Sequence, residues 1–191
     1  MTGTMNAAST IPAPHVVLAA GGTGGHIFPA ISVAEELLTR GYDVSLVTDR
    51  RGQGFGTALP QVAVHRIRAS GIGKGIVGKA SSAASIALGT MQARRLLAKL
   101  KPVCVVGFGG YPSVPTMLAA TSRGVATMIH EQNAVLGRAN RLVAPRVSAI
   151  ATSFAETKFV RDEDRAKIVL TGNPVRAAFS AVRDQDYPPI G

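Results

Sequence analysis

Three short polar segments constrain this chain more than anything else in it. Gly21-Gly22-Thr23-Gly24-Gly25-His26, Gly107-Phe108-Gly109-Gly110-Tyr111 and His130-Glu131-Gln132-Asn133 each follow directly on an apolar run of the length of a buried strand. Parallel sheets bind ligands at the loops beyond the carboxyl ends of their strands, so three such loops point to one shared cleft. The glycines of the first loop let the chain turn sharply with no Cβ in the way. The helix behind them then offers unpaired amides and a positive dipole end, which suits a phosphate ester.

Strand and helix patterns alternate along the chain. Val16 to Ala20 reads as a strand, Ile27, Ile31, Ala34 and Leu38 recur at helical spacing until Gly41, and Val44 to Val47 close a βαβ unit. A strand is expected at Val62 to Ile67, then a glycine-rich basic loop, then a helix carrying Ile86, Met91, Leu96, Leu97 and Leu100. Further strands fall at Val103–Val106, Ala126–His130, Ala149–Thr152 and Ile168–Thr171, with polar loops and helical patterns after them. A helix near Ser113–Arg123 is expected to be regular only beyond Pro112 and Pro115. The fold class is α/β, a doubly wound parallel sheet. Residues 1–14 read as a tail, 15–183 as one domain and 184–191, with Pro188-Pro189, as the start of a linker.

The formal net charge of +10 is unevenly spread. Between Asp49 and Glu131 there is no acidic residue and there are eleven basic ones, so this stretch carries +11 and the remainder sums to −1. Within it, Ile72, Lys74, Ile76, Val77 and Lys79 mix apolar and cationic side chains with no aromatic ring on which a base could stack. That composition favours docking on an anionic membrane surface over nucleic acid, a flexible solvated loop being the other reading. No apolar stretch reaches the ~18 residues of a membrane span. The single cysteine, Cys104, sits in an apolar run and reads as a small buried hydrophobe rather than a reactive thiol.

Two common nucleotide motifs fail. Ile27 stands where GxGxxG needs its third glycine, and neither Lys74 nor Lys79 precedes Ser or Thr. His26 opens a helix, where the positive dipole end disfavours an added proton. A neutral imidazole there can take a proton from a sugar hydroxyl, or it can cap the helix or hold a phosphate. Glu131 is a second candidate for the site, or a brace for its own loop. Asn133 suits hydroxyls or an amide, or likewise steadies the loop, and Arg176 is either a diphosphate partner or a solvated charge. No cofactor is expected and no carboxylate or histidine cluster has the spacing of a metal site.

Four segments together, Gly21 to Pro29, Gly107 to Pro115, His130 to Asn133 and Gly172-Asn173-Pro174-Val175-Arg176, resemble the MurG family of N-acetylglucosaminyltransferases, which convert lipid I to lipid II in peptidoglycan synthesis. The resemblance runs in order from about His15 to Arg176. It implies the Rossmann-like N-terminal half of a GT-B glycosyltransferase, peripheral at the cytoplasmic face of the bacterial inner membrane. The partners it implies are undecaprenyl-pyrophosphoryl-MurNAc-pentapeptide as acceptor and UDP-N-acetylglucosamine as donor, in an inverting transfer. Carried over, His26 matches the base, and Thr23, Gly24, Gly25, Asn133 and Arg176 match positions that contact the sugar nucleotide. Gly107, Gly109, Gly110 and Tyr111 match the cradle for the acceptor's pyrophosphate, and Ile72 to Lys79 the membrane-docking region, here without large aromatics. The family's donor domain is expected beyond Gly191, so these residues alone are expected to be inactive. The alternatives are the acceptor subunit of a split glycosyltransferase, or a non-catalytic module for an anionic lipid or phosphosugar.

Overall fold

The computed structural model describes residues 12–21, 23–50, 59–69, 71, 75–176, 179, 181 and 182, with the side chains of residues 76 and 79 excluded. Strands β1 (His15–Ala19), β2 (Asp43–Thr48), β3 (Ala63–Arg66), β4 (Cys104–Gly107), β5 (Ala126–Glu131), β6 (Ala149–Thr152) and β7 (Ile168–Leu170) form one sheet in the order β3-β2-β1-β4-β5-β6-β7. Every pairing is parallel. The chain winds outward from β1 to β3, returns to place β4 beside β1 and winds out the other way. The carboxyl ends of β1 and β4 therefore flank the point where strand order reverses.

Helices α1 (Gly24–Thr39), α2 (Gly75–Leu100), α3 (Ser113–Thr121) and α4 (Arg138–Val143) cover the two faces. The central strands β1 and β4 are apolar on both sides, as a doubly covered sheet requires. Val17, Val47, Val105, Ile129 and Ile150 face a core completed by Ala93 and Leu97 of α2 and by Met117 of α3. Val16, Leu18, Val44 and Leu46 face another, with Ala30, Ile31 and Ala34 of α1 and the buried ring of Phe108.

Three details depart from the sequence expectations. Gly75 to Lys79, expected in a loop, form the first turn of α2. α3 is regular from Ser113 despite Pro115, because the amides of a first helical turn have no intrahelical partner and proline forfeits nothing there. Finally, no α-helix joins β6 to β7. Residues Asp162–Lys167 form a 3-10 turn, whose three-residue period brings Arg161 onto Asp164 (2.9 Å), Asp162 onto Arg165 (2.9 Å) and Asp164 onto Lys167 (2.8 Å). Cys104 is half-buried rather than buried, and burial raises its thiol above the usual range, which keeps it protonated and inert.

Candidate active site

The loops after β1 and β4 are pressed together. The Gly21 amide donates to the Gly109 carbonyl at 3.0 Å, and the Phe108 amide to the Ala19 carbonyl at 2.8 Å. A β-carbon at Gly110 would stand 2.9 Å from Gly21 Cα, closer than real contacts allow, and Gly110 has φ +72. At Gly109, φ is +92 and a β-carbon would stand 3.1 Å from Cε1 of His26. These two glycines are therefore required by backbone conformation and by the imidazole ring that lies on them. Gly107 differs: it is buried in β4, and a β-carbon there would stand 2.9 Å from Cγ and Sδ of Met117, so its missing side chain serves core packing and no ligand.

α1 begins at Gly24 with Thr23 as N-cap, which makes no side-chain cap bond, and there is no acidic residue in the first turn. Among the described residues the Gly24 and Gly25 amides have no protein acceptor, and both residues are exposed. Nothing lies within 4 Å of where a Gly25 β-carbon would be. The amides and dipole end are thus open to an anion. Gly24 leaves room for the Phe28 ring, 3.0 Å from its would-be β-carbon, and the Arg176 guanidinium stacks over that ring at 4.6 Å and over Phe179 at 4.8 Å. Gly24, Gly25, Phe28, Arg176 and Phe179 line a cleft of about 280 Å³. Arg176 is accordingly held at the start of α1 by aromatic faces, its charge not neutralised by any carboxylate among the described residues.

Of the two roles expected for Glu131, the structure shows the brace of its own loop. It is 1% exposed, and its carboxylate accepts from the Asn133 amide (3.1 Å), Asn133 Nδ2 (3.0 Å), the Gly137 amide (2.8 Å) and Asn140 Nδ2 (2.9 Å). With both oxygens occupied it braces the turn from β5 into α4 and has nothing to offer a substrate. Glu131→Gln puts an amino group against two donors whichever way the amide lies. A loss of about 3 kcal/mol, read from the urea midpoint at unchanged slope, is expected. A loss below about 0.5 kcal/mol would remove the brace from this account.

Asn133 is exposed and gives Nδ2 to Glu131, which leaves Oδ1 for another partner. Tyr111 is half-buried and lines, with Gly71, Arg138, Arg141 and Leu142, a second cleft of about 530 Å³. Of the docking residues, Ile72 and Lys74 lie outside the described residues, as do the side chains of Ile76 and Lys79; Val77 is 83% exposed in the first turn of α2. No described helix is long and apolar enough to cross a membrane. The described residues contain no group of three His, Cys, Asp or Glu able to hold a metal ion.

Sequence reasoning gave no role to Phe28, Gln132, His130 or Asn140. Gln132 bonds His26 at 3.1 Å across 106 residues of sequence, and no local pattern announces such a pair. His130 is 4% exposed, bonds the Gly172 carbonyl at 3.0 Å and packs on Phe108, ring centroids 5.7 Å apart.

Residues 16–152 match the glycosyltransferase family 28 N-terminal domain. The chain is 57% identical over 172 residues, 90% of its length and 45% of the relative's, to the UDP-N-acetylglucosamine--N-acetylmuramyl-(pentapeptide) pyrophosphoryl-undecaprenol N-acetylglucosamine transferase of Rhodospirillum centenum. It is 53% identical over 178 residues, 93% of its length and 48% of the relative's, to the protein of the same name from Paramagnetospirillum magneticum. The chain spans about half the length of the curated relatives it matches. The crystal structure of Acinetobacter baumannii MurG superposes with a TM-score of 0.70 at 32% identity, covering 92% of this chain and 50% of that one. A UDP-N-acetylglucosamine 2-epimerase at 14% identity and TM-score 0.63, covering 93% of this chain and 53% of that one, shares the fold.

Proposed function

Because the chain belongs to the family of glycosyltransferase family 28 N-terminal domains, we propose that it is the acceptor-side half of an N-acetylglucosaminyltransferase of peptidoglycan synthesis. The reaction is transfer of N-acetylglucosamine from UDP-N-acetylglucosamine to the 4-hydroxyl of the muramyl sugar of lipid I, giving lipid II. The relatives from R. centenum and P. magneticum are named for a transfer of this kind. The observation that carries the reading is the start of α1, where the bare Gly24 and Gly25 amides and Arg176 line one opening and His26 follows directly in the same turn.

In this reading His26 Nε2 takes the proton of the acceptor hydroxyl. The oxygen bonds the anomeric carbon as the bond from that carbon to the diphosphate breaks, and the configuration inverts. Negative charge grows on the departing UDP, where the Gly24 and Gly25 amides and the Arg176 guanidinium favour it more than in the ground state. Asn133 Oδ1, its Nδ2 engaged with Glu131, accepts from a sugar hydroxyl or an acetamide N–H. The turn at Gly109 and Gly110, with Tyr111 beside it, faces the acceptor's pyrophosphate. The lipid tail of the acceptor requires work at a membrane surface, which the exposed Val77 and the basic stretch around it support by docking to anionic lipid at the cytoplasmic face.

The uridine falls to the half of the family's length that this chain does not span. The 191-residue chain, given UDP-N-acetylglucosamine and a soluble lipid I analogue, is expected to form no disaccharide product, and fusion to a donor half from a close relative restores it. Sustained turnover by the chain alone would overturn that division of labour. A fusion that folds, binds both substrates and stays inert would overturn the transferase reading itself.

A further inference from the structure

The polar chain from His26 through Gln132 to His130 has a direction that its two ends dictate. Gln132 Nε2 lies 3.1 Å from the carbonyl oxygen of His130, and only the amino group of the amide can face a carbonyl, so the Gln132 amide has one orientation. The same amino group lies 3.0 Å from His130 Nδ1, which therefore accepts. At the far end His130 Nε2 lies 3.0 Å from the Gly172 carbonyl, so that nitrogen carries the proton. The Gly172 carbonyl demands a proton on Nε2, and the Gln132 amino group, fixed by the His130 carbonyl, demands none on Nδ1; together they select one neutral form of His130. Burial, which holds this imidazole below its usual range against the opposing pull of the Gly172 bond and the Glu131 charge, supports that form. With the amide so turned, Gln132 Oε1 faces His26 Nδ1 at 3.1 Å, and His26 must donate from Nδ1.

We propose that Gln132, oriented by His130, is a positioning residue that holds His26 in its Nδ1–H tautomer and leaves the Nε2 lone pair bare toward the acceptor hydroxyl. The opposite tautomer would present a proton where a proton has to be received. Because the chain of bonds ends on backbone carbonyls, it cannot pass a proton onward. It fixes the ring and gives Nδ1–H an oxygen partner that persists once His26 becomes charged. The arrangement also links the start of α1, the end of β5 and the loop after β7 through three side chains, His26, Gln132 and His130. The catalytic consequence rests on the function proposed above; the tautomer does not.

The test reads the two separately. Long-range proton–nitrogen spectra of the 15N-labelled chain, with the His26 signals identified by their loss in His26→Gln, are expected to show a protonated Nδ1 and a bare Nε2 above neutral pH. Gln132→Met, of similar length but without polar atoms, is expected to lose that preference. In the donor-half fusion, Gln132→Met is expected to lower kcat by about 10- to 100-fold with both KM values within about two-fold, the pattern of a misaligned base. A wild-type His26 protonated on Nε2, or a preference that Gln132→Met leaves untouched, overturns the proposal even if His26→Ala abolishes turnover. If instead His26→Ala leaves kcat unchanged while the tautomer is as expected, the positioning stands and the assignment of His26 as base falls.

Discussion

His26→Ala, in the fusion that carries a donor half, is expected to lower kcat by about 10²- to 10⁴-fold while KM for UDP-N-acetylglucosamine and for the acceptor each stay within about three-fold. The asymmetry follows from where the imidazole sits. Its ring rests on the backbone of Gly109 and Gly110, and Nδ1 is engaged with Gln132, so Nε2 is the nitrogen left to meet a substrate. The amides of Gly24 and Gly25, to which the proposed function assigns the anion, are main-chain groups that the substitution leaves in place. Binding therefore survives and proton transfer does not. Alanine also removes the ring that covers two positive-φ glycines, so a control on folding is needed, and circular dichroism with substrate titration supplies it. A matched fall in kcat and rise in KM would mean that His26 holds a phosphate instead. An unchanged kcat would reduce it to a feature of the helix start.

Gly89→Ala is expected to be among the most damaging single substitutions away from the site, although the helix rule predicts the opposite. Alanine in a helix interior is ordinarily favoured over glycine by about 1 kcal/mol. Gly89 is buried within α2, and a β-carbon there would overlap the carbonyl oxygen of Arg68 and stand 3.1 Å from Pro115 Cβ of α3. A backbone carbonyl cannot rotate away as a side chain would, so α2 has to lift from the segment after β3. That movement also stretches the bond from the Arg68 amide to Gln92 Oε1, now 2.8 Å. A net loss of about 3 kcal/mol is expected, seen as a fall in Tm of roughly 6–12 °C for a chain of this size. A rise in Tm would show that α2 and the Arg68 segment do not approach as closely as described.

Both predictions concern places where sequence and structure carry different information. The alternation of apolar runs with helical spacing made the parallel sheet legible, and the three polar segments were legible as lying at or beyond the carboxyl ends of strands. His26, Gly24, Gly25 and Arg176 were each legible as single polar or glycine residues in loops. Their neighbours were not. Glu131 reads in sequence as either a site carboxylate or a loop brace, and nothing local decides between them, because the bond from Asn140, nine residues on, at 2.9 Å exists only in the fold. Gly107 reads like Gly109 and Gly110, yet only the latter two hold positive φ and touch His26. Gly89 is by the helix rule a weak point of α2, and is instead the place where the Arg68 carbonyl, beyond the end of β3, comes in.

The sequence by itself determined which segments become strands and helices and which loops lie beyond the carboxyl ends, because hydrophobic period and glycine conformation are properties of neighbouring residues. Only the tertiary structure decided that β4 returns beside β1, that Gly21 and Gly109 meet, that Arg176 settles on Phe28, and that His26 faces Gln132. Those pairings depend on strand order and on the packing of α1 against the sheet. A hydrogen bond spanning 106 residues exists only once a whole fold has brought its two ends within 3.1 Å.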